Sequence, residues 1–437
     1  MKKLLAAGLF FSIFIQTARA ADVSTAAAVF PGVDFSTECM RQITVDEAYR
    51  LALAKSEALA QQKEGVKILE AAERDAGSAF LPTITYGINQ IWQDLPDSGA
   101  SNYQSSKFQH GAALHYSVFS GMRDYLAVKA AGLQTEAARL ALIRARQNLY
   151  LSATQAYISL YLIQKQIAIN QSQLSVTKSR ISELSSRERI GRSRKSEVLA
   201  ARSQLAQDES LLQSALGLER FYQHLLQFLT GLDCDLSPQR MKMPSAPNLN
   251  DYIARAMQRP DVEAARKNVE AARLQAGIAR RQRWPTLDFD ANYYLDRSGS
   301  NSGVNWDTTF GLKLPLYTGG HLSAKIDQAD AALRSAELGF ALLTRQTETI
   351  VRQKYDSLTH YISTVESLRS ALKLATENAA AQAADYKYGL VTNLEVLSAM
   401  NTEFQTRIQL DSARMNAIAD GFELEVAAGG PASVTEN

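Results

Sequence analysis

The chain has 437 residues, 46% of them hydrophobic, with 47 Lys and Arg set against 45 Asp and Glu. A net charge of +2 excludes a general nucleic-acid binder, whose electrostatic footprint is strongly positive. The length admits two or three domains.

At the N-terminus, Lys2 and Lys3 precede the apolar run LLAAGLFFSIFI (4–15), and ARA (18–20) supplies small residues for a cleavage site. The run is too short to span a bilayer, so residues 1–20 read as a secretory signal peptide and the mature chain is expected to start near Ala21. No cysteine follows that site directly, which argues against N-terminal lipidation. The two cysteines, Cys39 and Cys234, leave open a disulfide of an exported protein or two unpaired thiols.

After an extended segment over 21–42, the dominant feature is an internal repeat. A shift of 198 residues carries Phe119-Ser120-Gly121 onto Tyr317-Thr318-Gly319, Tyr157 onto Tyr355, Gly191 onto Gly389, Glu197-Val198-Leu199 onto Glu395-Val396-Leu397 and Gly231 onto Gly429. An earlier block, Pro82-Thr83-Ile84, repeats at a shift of 203 as Pro285-Thr286-Leu287. The first repeat covers 43–232, a linker 233–247, the second repeat 248–430, and a tail 431–437.

Each repeat opens on a helix-forming stretch of about forty residues. Thr44 and Asn250 are the expected N-caps, and Pro82 and Pro285 end the stretches. Four segments of period two follow, at 83–92, 108–119, 286–296 and 306–317, paired as hairpins across the polar loops 93–107 and 297–305. A half-buried sandwich strand would alternate in the same way. The length of about ten residues suits a tilted membrane strand instead. Four strands cannot close a barrel and open edges cannot sit in lipid, so several chains would have to share one; three would give twelve strands. Trp92, Tyr294, Trp306 and Tyr317 are candidates for aromatic girdles or for ordinary packing.

Each repeat then runs without proline from Gly121 to Gly231 or from Gly319 to Gly429. Leu126, Ala130, Leu133, Ala137 and Leu140 keep the four-three spacing of a coiled-coil seam. A helix over 122–190 would be roughly 100 Å long, and the second arm runs back after Gly191 or Gly389. Each repeat therefore ends in a long antiparallel helical hairpin turning at its glycine. The fold class expected is mixed and mainly α.

On these residues the chain resembles the TolC family of outer-membrane efflux and secretion channels. The resemblance rests on the signal peptide, the two repeats, the junctions VFSG and LYTGG (with Gly121, Gly319 and Gly320) and the matching tips IGRSRKSEVL and YGLVTNLEVL. It implies a homotrimer whose twelve-stranded barrel sits in outer-membrane lipid and continues into a periplasmic α-helical barrel. It further implies a passive duct for small molecules or unfolded proteins. Its partners would be a periplasmic adaptor (membrane fusion protein) and an inner-membrane ABC or proton-driven transporter, and its tips would be the gate. Family members carry acidic residues past the second tip glycine. Glu395 matches the first such position, whereas the next is Ser398, which puts a double acidic ring in doubt. A periplasmic coiled-coil adaptor or structural protein without a barrel is the alternative, and it has no use for four ten-residue strands with aromatic faces.

Enzymatic motifs are absent from the sequence. The five histidines lack metal-ligand spacing, and GRSRKS lacks the second glycine of a phosphate-binding loop, so no cofactor or nucleic acid is expected. The basic tip residues, Arg192, Arg194 and Lys195 among them, are either solvated charges at a turn or an adaptor contact. Leu390, Val391 and Thr392 at the second tip form a short apolar contact candidate. Glu197 and Glu395 are either first-turn carboxylates that suit the helix dipole or members of a charged constriction.

Overall fold

The computed structural model describes residues 40–94, 105–246, 248–298 and 302–430. The signal peptide, Cys39 and the 431–437 tail lie outside the described residues. In chain order the elements are β1 (Met40–Ile43), α1 (Val45–Lys55), α2 (Glu57–Ser78), β2 (Thr83–Trp92), β3 (Ser106–Phe119), α3 (Arg123–Arg189) and α4 (Lys195–Thr230). They continue as β4 (Asp235–Pro238), α5 (Leu249–Ala256), α6 (Pro260–Arg281), β5 (Thr286–Arg297), β6 (Trp306–Lys313), α7 (His321–Lys387) and α8 (Asn393–Ala427).

The repeat is kept to the residue. Both α3 and α7 are 67 residues long, roughly 100 Å, and both ends of α7 lie 198 positions after those of α3. Helices α2 and α6 have 22 residues each, offset by 203. Glycines with positive φ recur in pairs, Gly121 with Gly319, Gly191 with Gly389 and Gly231 with Gly429. One pair breaks the rule: Met122 holds φ 61° where the second repeat has Gly320 at 85°.

The forty-residue opening helix is in fact two helices. Ser56 is at once the C-cap of α1 and the N-cap of α2, where its hydroxyl accepts from the Leu59 N–H. In the second repeat the break falls at Arg259, with Pro260 opening α6, where its missing N–H costs nothing. Thr44 caps α1, accepting from Glu47 N at 3.2 Å. The cap of α5, however, is Asn248, and Asn250 is the residue whose N–H it receives. The prolines at 82 and 285 stand directly before β2 and β5 rather than at the helix ends, which come earlier, at Ser78 and Arg281.

The main sheet has the order β2-β3-β5-β6, antiparallel throughout, with β2 and β6 as its edges. Register sorts its side chains cleanly. One face carries Ile84, Tyr86, Ile88, Leu114, Phe289, Tyr293, Trp306 and Phe310, with the Phe289 and Phe310 rings 4.7 Å apart. The other carries His115 on Asp290 at 2.7 Å, Lys313 on Asp288 at 3.5 Å and Asn292 on Asp307 at 2.9 Å. The segment expected over 306–317 ends at Lys313: Pro315 cannot donate to a ladder, so Leu314 and Leu316 alternate in sequence without being strand. A bulge between His110 and Gly111 resets the register, and a Cβ at Gly111 would lie 2.1 Å from the Tyr293 carbonyl. By the same alternation as Asp290 and Asn292, Tyr294 donates to Asp307 on the polar face, unlike a girdle residue, and Tyr317 lies beyond the strand.

A second sheet escaped the sequence reading. Strand β1 pairs in parallel with β4, joining the end of the N-terminal segment to the linker. The Tyr157 hydroxyl donates to the carbonyls of Ile43 and Gln239 at 2.8 and 3.2 Å. Burial pushes its pKa up to about 12, so it remains a donor. The Gln223 amide brackets Leu236, donating to its carbonyl at 2.8 Å and accepting its N–H at 2.9 Å. Ile43 and Leu236 enter the core of Leu160, Ile163 and Leu226. The strap is thus held by polar clamps over an apolar base.

Candidate functional site: the helical tips

Both hairpins turn by the same backbone device. At the first, Gly191 takes φ 73°, its N–H reaches Glu188 O at 2.9 Å, and Arg192 N reaches Arg187 O at 2.8 Å. At the second, Gly389 takes φ 74°, its N–H reaches Tyr386 O, and Leu390 N reaches Asp385 O, both at 3.1 Å. These 6→1 and 5→2 bonds satisfy carbonyls that a helix end leaves orphaned. A side chain at either glycine would find open space but would be strained by the left-handed φ.

The return helices begin differently. Arg194 stands at the N-cap of α4 without a side-chain hydrogen bond. Thr392 caps α8 in a full capping box: Glu395 N donates to Thr392 Oγ1 at 3.4 Å, and Thr392 N donates to Glu395 Oε2 at 2.6 Å. That backbone N–H, with the Thr392 hydroxyl behind it, holds the Glu395 carboxyl below the usual carboxylate range. In one chain, therefore, Glu395 closes its own helix.

Glu197 does something else. Its carboxylate accepts from Ser193 within the first tip and from the Tyr386 hydroxyl of the second at 3.3 Å. Tyr386 is buried, and burial followed by the Glu197 charge raises its pKa above the ordinary value. The Arg180 guanidinium lies 4.1 Å from the centroid of the Tyr386 ring and Arg187 lies 5.0 Å from it. Arg180 also donates to Asn393 Oδ1 through Nε at 3.1 Å and a terminal nitrogen at 2.9 Å, and to Glu183 at 2.8 Å. Arg180 and Asn393 are both buried, over a cluster of Leu184, Val198, Ala201, Val396 and Val391. Two hairpins, about 200 residues apart in sequence, are joined here by charge-assisted hydrogen bonds.

Outside that junction the tips are exposed. Arg192, Arg194 and Lys195 face solvent beside the exposed Ile190, Tyr388, Leu390 and Leu394. Ser398 lines a cavity of about 740 Å³ between α4 and α8, with Gln204, Gln207, Asn401 and Gln405. At the other end of the hairpins, Gly121, Gly319 and Gly320 carry the chain from sheet to helix, each with positive φ. Sequence reasoning named the tip glycines and Glu197 but not Arg180, Tyr386 and Asn393. Their only signal was position, since Tyr386 and Asn393 flank the second tip glycine. No group of three or more metal-ligating side chains occurs among the described residues.

The model of the outer membrane efflux protein family matches residues 254–430, which takes in α6, two strands and the whole second hairpin. The same architecture is found in VceC of Vibrio cholerae, at a TM-score of 0.81 over 88% of this chain and 96% of that one, with 20% identity. Over residues 254–430 the chain is thus similar to that family, and its fold is that of the solved VceC. Among relatives, TolC of Escherichia coli is 25% identical over 191 residues, 38% of this chain and only 39% of TolC. The efflux protein BepC of Brucella suis is 23% identical over 415 residues, 93% of this chain and 90% of BepC. The relatives TolC and BepC and the solved VceC are each outer membrane proteins. No helix among the described residues is long and apolar enough to cross a membrane.

Proposed function

We propose that three copies of this chain form a passive exit duct, with a twelve-stranded barrel continued by a periplasmic tunnel of helices. The observation that carries this reading is the four-stranded sheet, apolar and aromatic on one face, charged on the other, and open at both edges. Unpaired edges are costly in hydrocarbon, and three sheets of four strands close a barrel wide enough for a channel. The polar face, with His115, Asp288, Asp290 and Lys313, would line the lumen. Helix α4 supports association: Leu211, Leu218, Phe221, Leu225 and Phe228 are exposed at heptad spacing, Phe228 at 79%, a seam that a neighbouring copy would cover.

The tips are the gate in this reading. The Tyr386–Glu197 and Arg180–Asn393 contacts hold the second hairpin against the first, and opening requires their loss. A periplasmic adaptor and an ABC or proton-driven transporter supply the energy and dock on the basic and apolar tip surface. Cargo is a small molecule or an unfolded protein handed over by that transporter. The test is conductance of the reconstituted trimer, which should rise in an Arg180→Ala, Tyr386→Phe double variant. Unchanged conductance would refute the gate. A chain that stays soluble without detergent after cell fractionation would refute the duct and leave a periplasmic coiled-coil protein.

A further inference from the structure

A cleft of about 770 Å³ lies on the seam of α3 and α8, roofed by the linker after β4. Its rim is cationic: Lys165 of α3, Arg369 of α7, Arg414 of α8, and Arg240 and Lys242 of the linker. Asp411 is the one acid among the lining residues, and it is already paired with Arg414 at 3.1 Å. Among the described residues, no ion pair engages Lys165, Arg240, Lys242 or Arg369. Lys165 instead sits 5.3 Å from the Tyr161 ring centroid. In a chain with 47 basic and 45 acidic side chains, such local imbalance is a property of this place and not of the surface at large.

The floor is apolar. Met415 and Ile418 are buried, and Tyr161, Leu162 and Met241 pack against them. Methionines make a floor that adapts to the outline of what it meets. The volume falls in the range of pockets that enclose a small organic molecule.

The internal repeat supplies a control. Shifted by 198, Lys165 becomes Ser363, Arg369 becomes Gln171, Arg414 becomes Leu216 and Asp411 becomes Gln213. The corresponding helices of the other repeat thus form without these charges, so helix formation does not require them.

We propose that this cleft binds a soluble amphiphilic organic anion, an apolar body carrying a sulfonate, carboxylate or phosphate. The body lies on Leu162, Met241, Met415 and Ile418, and the anionic group meets Arg240, Lys242 and Arg369. The site is on the flank of the helical hairpins, far along α3 from the tip residues, and is separate from the proposed gate.

The test is calorimetric titration of 1-naphthalenesulfonate into the full-length channel in detergent-free nanodiscs, with sulfate and 1-naphthalenemethanol as competitors. Saturable binding of one probe per chain is expected, weakening as salt is raised because the rim is exposed. An Arg240→Glu, Lys242→Glu double variant and Arg369→Glu should each weaken it by at least about tenfold. All three residues are exposed, so folding should survive, as an unchanged oligomer mass and circular dichroism would verify. Neither competitor alone should displace the probe at matched concentration. Absence of saturable binding, unchanged affinity in the charge-reversed variants, or displacement of the probe by sulfate at matched concentration would each overturn the proposal.

Discussion

The two helical tips share one backbone and differ in nearly every side chain that matters. Their glycines hold φ 73° and 74°, their helices end in the same pattern of hydrogen bonds, and each return helix starts six residues after the last residue of the preceding one. Yet Arg180 corresponds to Asn378, Tyr386 to Glu188 and Asn393 to Lys195, and among the polar side chains of the junction only Glu197 and Glu395 match. Even that pair is used differently, Glu395 on its own cap and Glu197 across to the neighbouring hairpin. Duplication kept the turn and freed the side chains, so that two like ends became the two complementary halves of one junction.

Arg180→Ala should break the comparison most severely. It strips the cation from the Tyr386 ring and leaves the buried Asn393 carbonyl without its donors, at a cost of about 3 kcal/mol to the closed junction. Hydrogen exchange should accelerate around 181–200 and 386–400, while Asn378→Ala, at the corresponding place in the other hairpin, should change little. Thr392→Ala removes one side of the capping box and should cost about 1 kcal/mol; Arg194→Ala, where no side-chain bond exists, should fall within experimental error. Thermal unfolding of the two variants side by side is the check.

Relief of strain at the opposite end of the hairpins sharpens the same comparison. Met122 is the one non-glycine with positive φ among the described residues, and its counterpart is Gly320. Met122→Gly should therefore stabilise by up to about 1 kcal/mol, whereas Gly320→Met should destabilise. The smallest effect concerns pH. Glu395 has a lowered pKa in the folded chain, so its contribution to the cap is complete above the ordinary value of 4.5 and is lost as pH falls through the lowered one. Exchange at the start of α8 should quicken there in the native chain and show no such step in Glu395→Gln.

Much of this was legible because it is written locally. Alternation marked 83–92 and 286–296, which are strands Thr83–Trp92 and Thr286–Arg297, and glycine marked the two turns where φ is left-handed. The helix breaks at Ser56 and Arg259 were hidden, since a serine or arginine inside a helix-forming run looks like one more helical residue until its cap bond is seen. The end of β6 was misread because Leu314 and Leu316 continue the alternation past the point where Pro315 stops the ladder. Long-range pairings were invisible for a different reason. Neither the β1–β4 register nor the approach of Arg180 to Asn393 leaves a period in either segment alone. A charged residue in the run SRISEL announces nothing until the second hairpin lies beside it.

Strand β1 has a consequence for how the molecule is made. Met40 pairs with Asp235, which lies 235 − 40 = 195 positions further along the chain. During synthesis from the N-terminus the first strand therefore emerges without its mate and stays single until the linker has followed it. Tyr157 and Gln223, which hold the strap, arrive in the same interval. Strand β1 is thus one of the later elements to settle, its order set by the slow arrival of a distant contact.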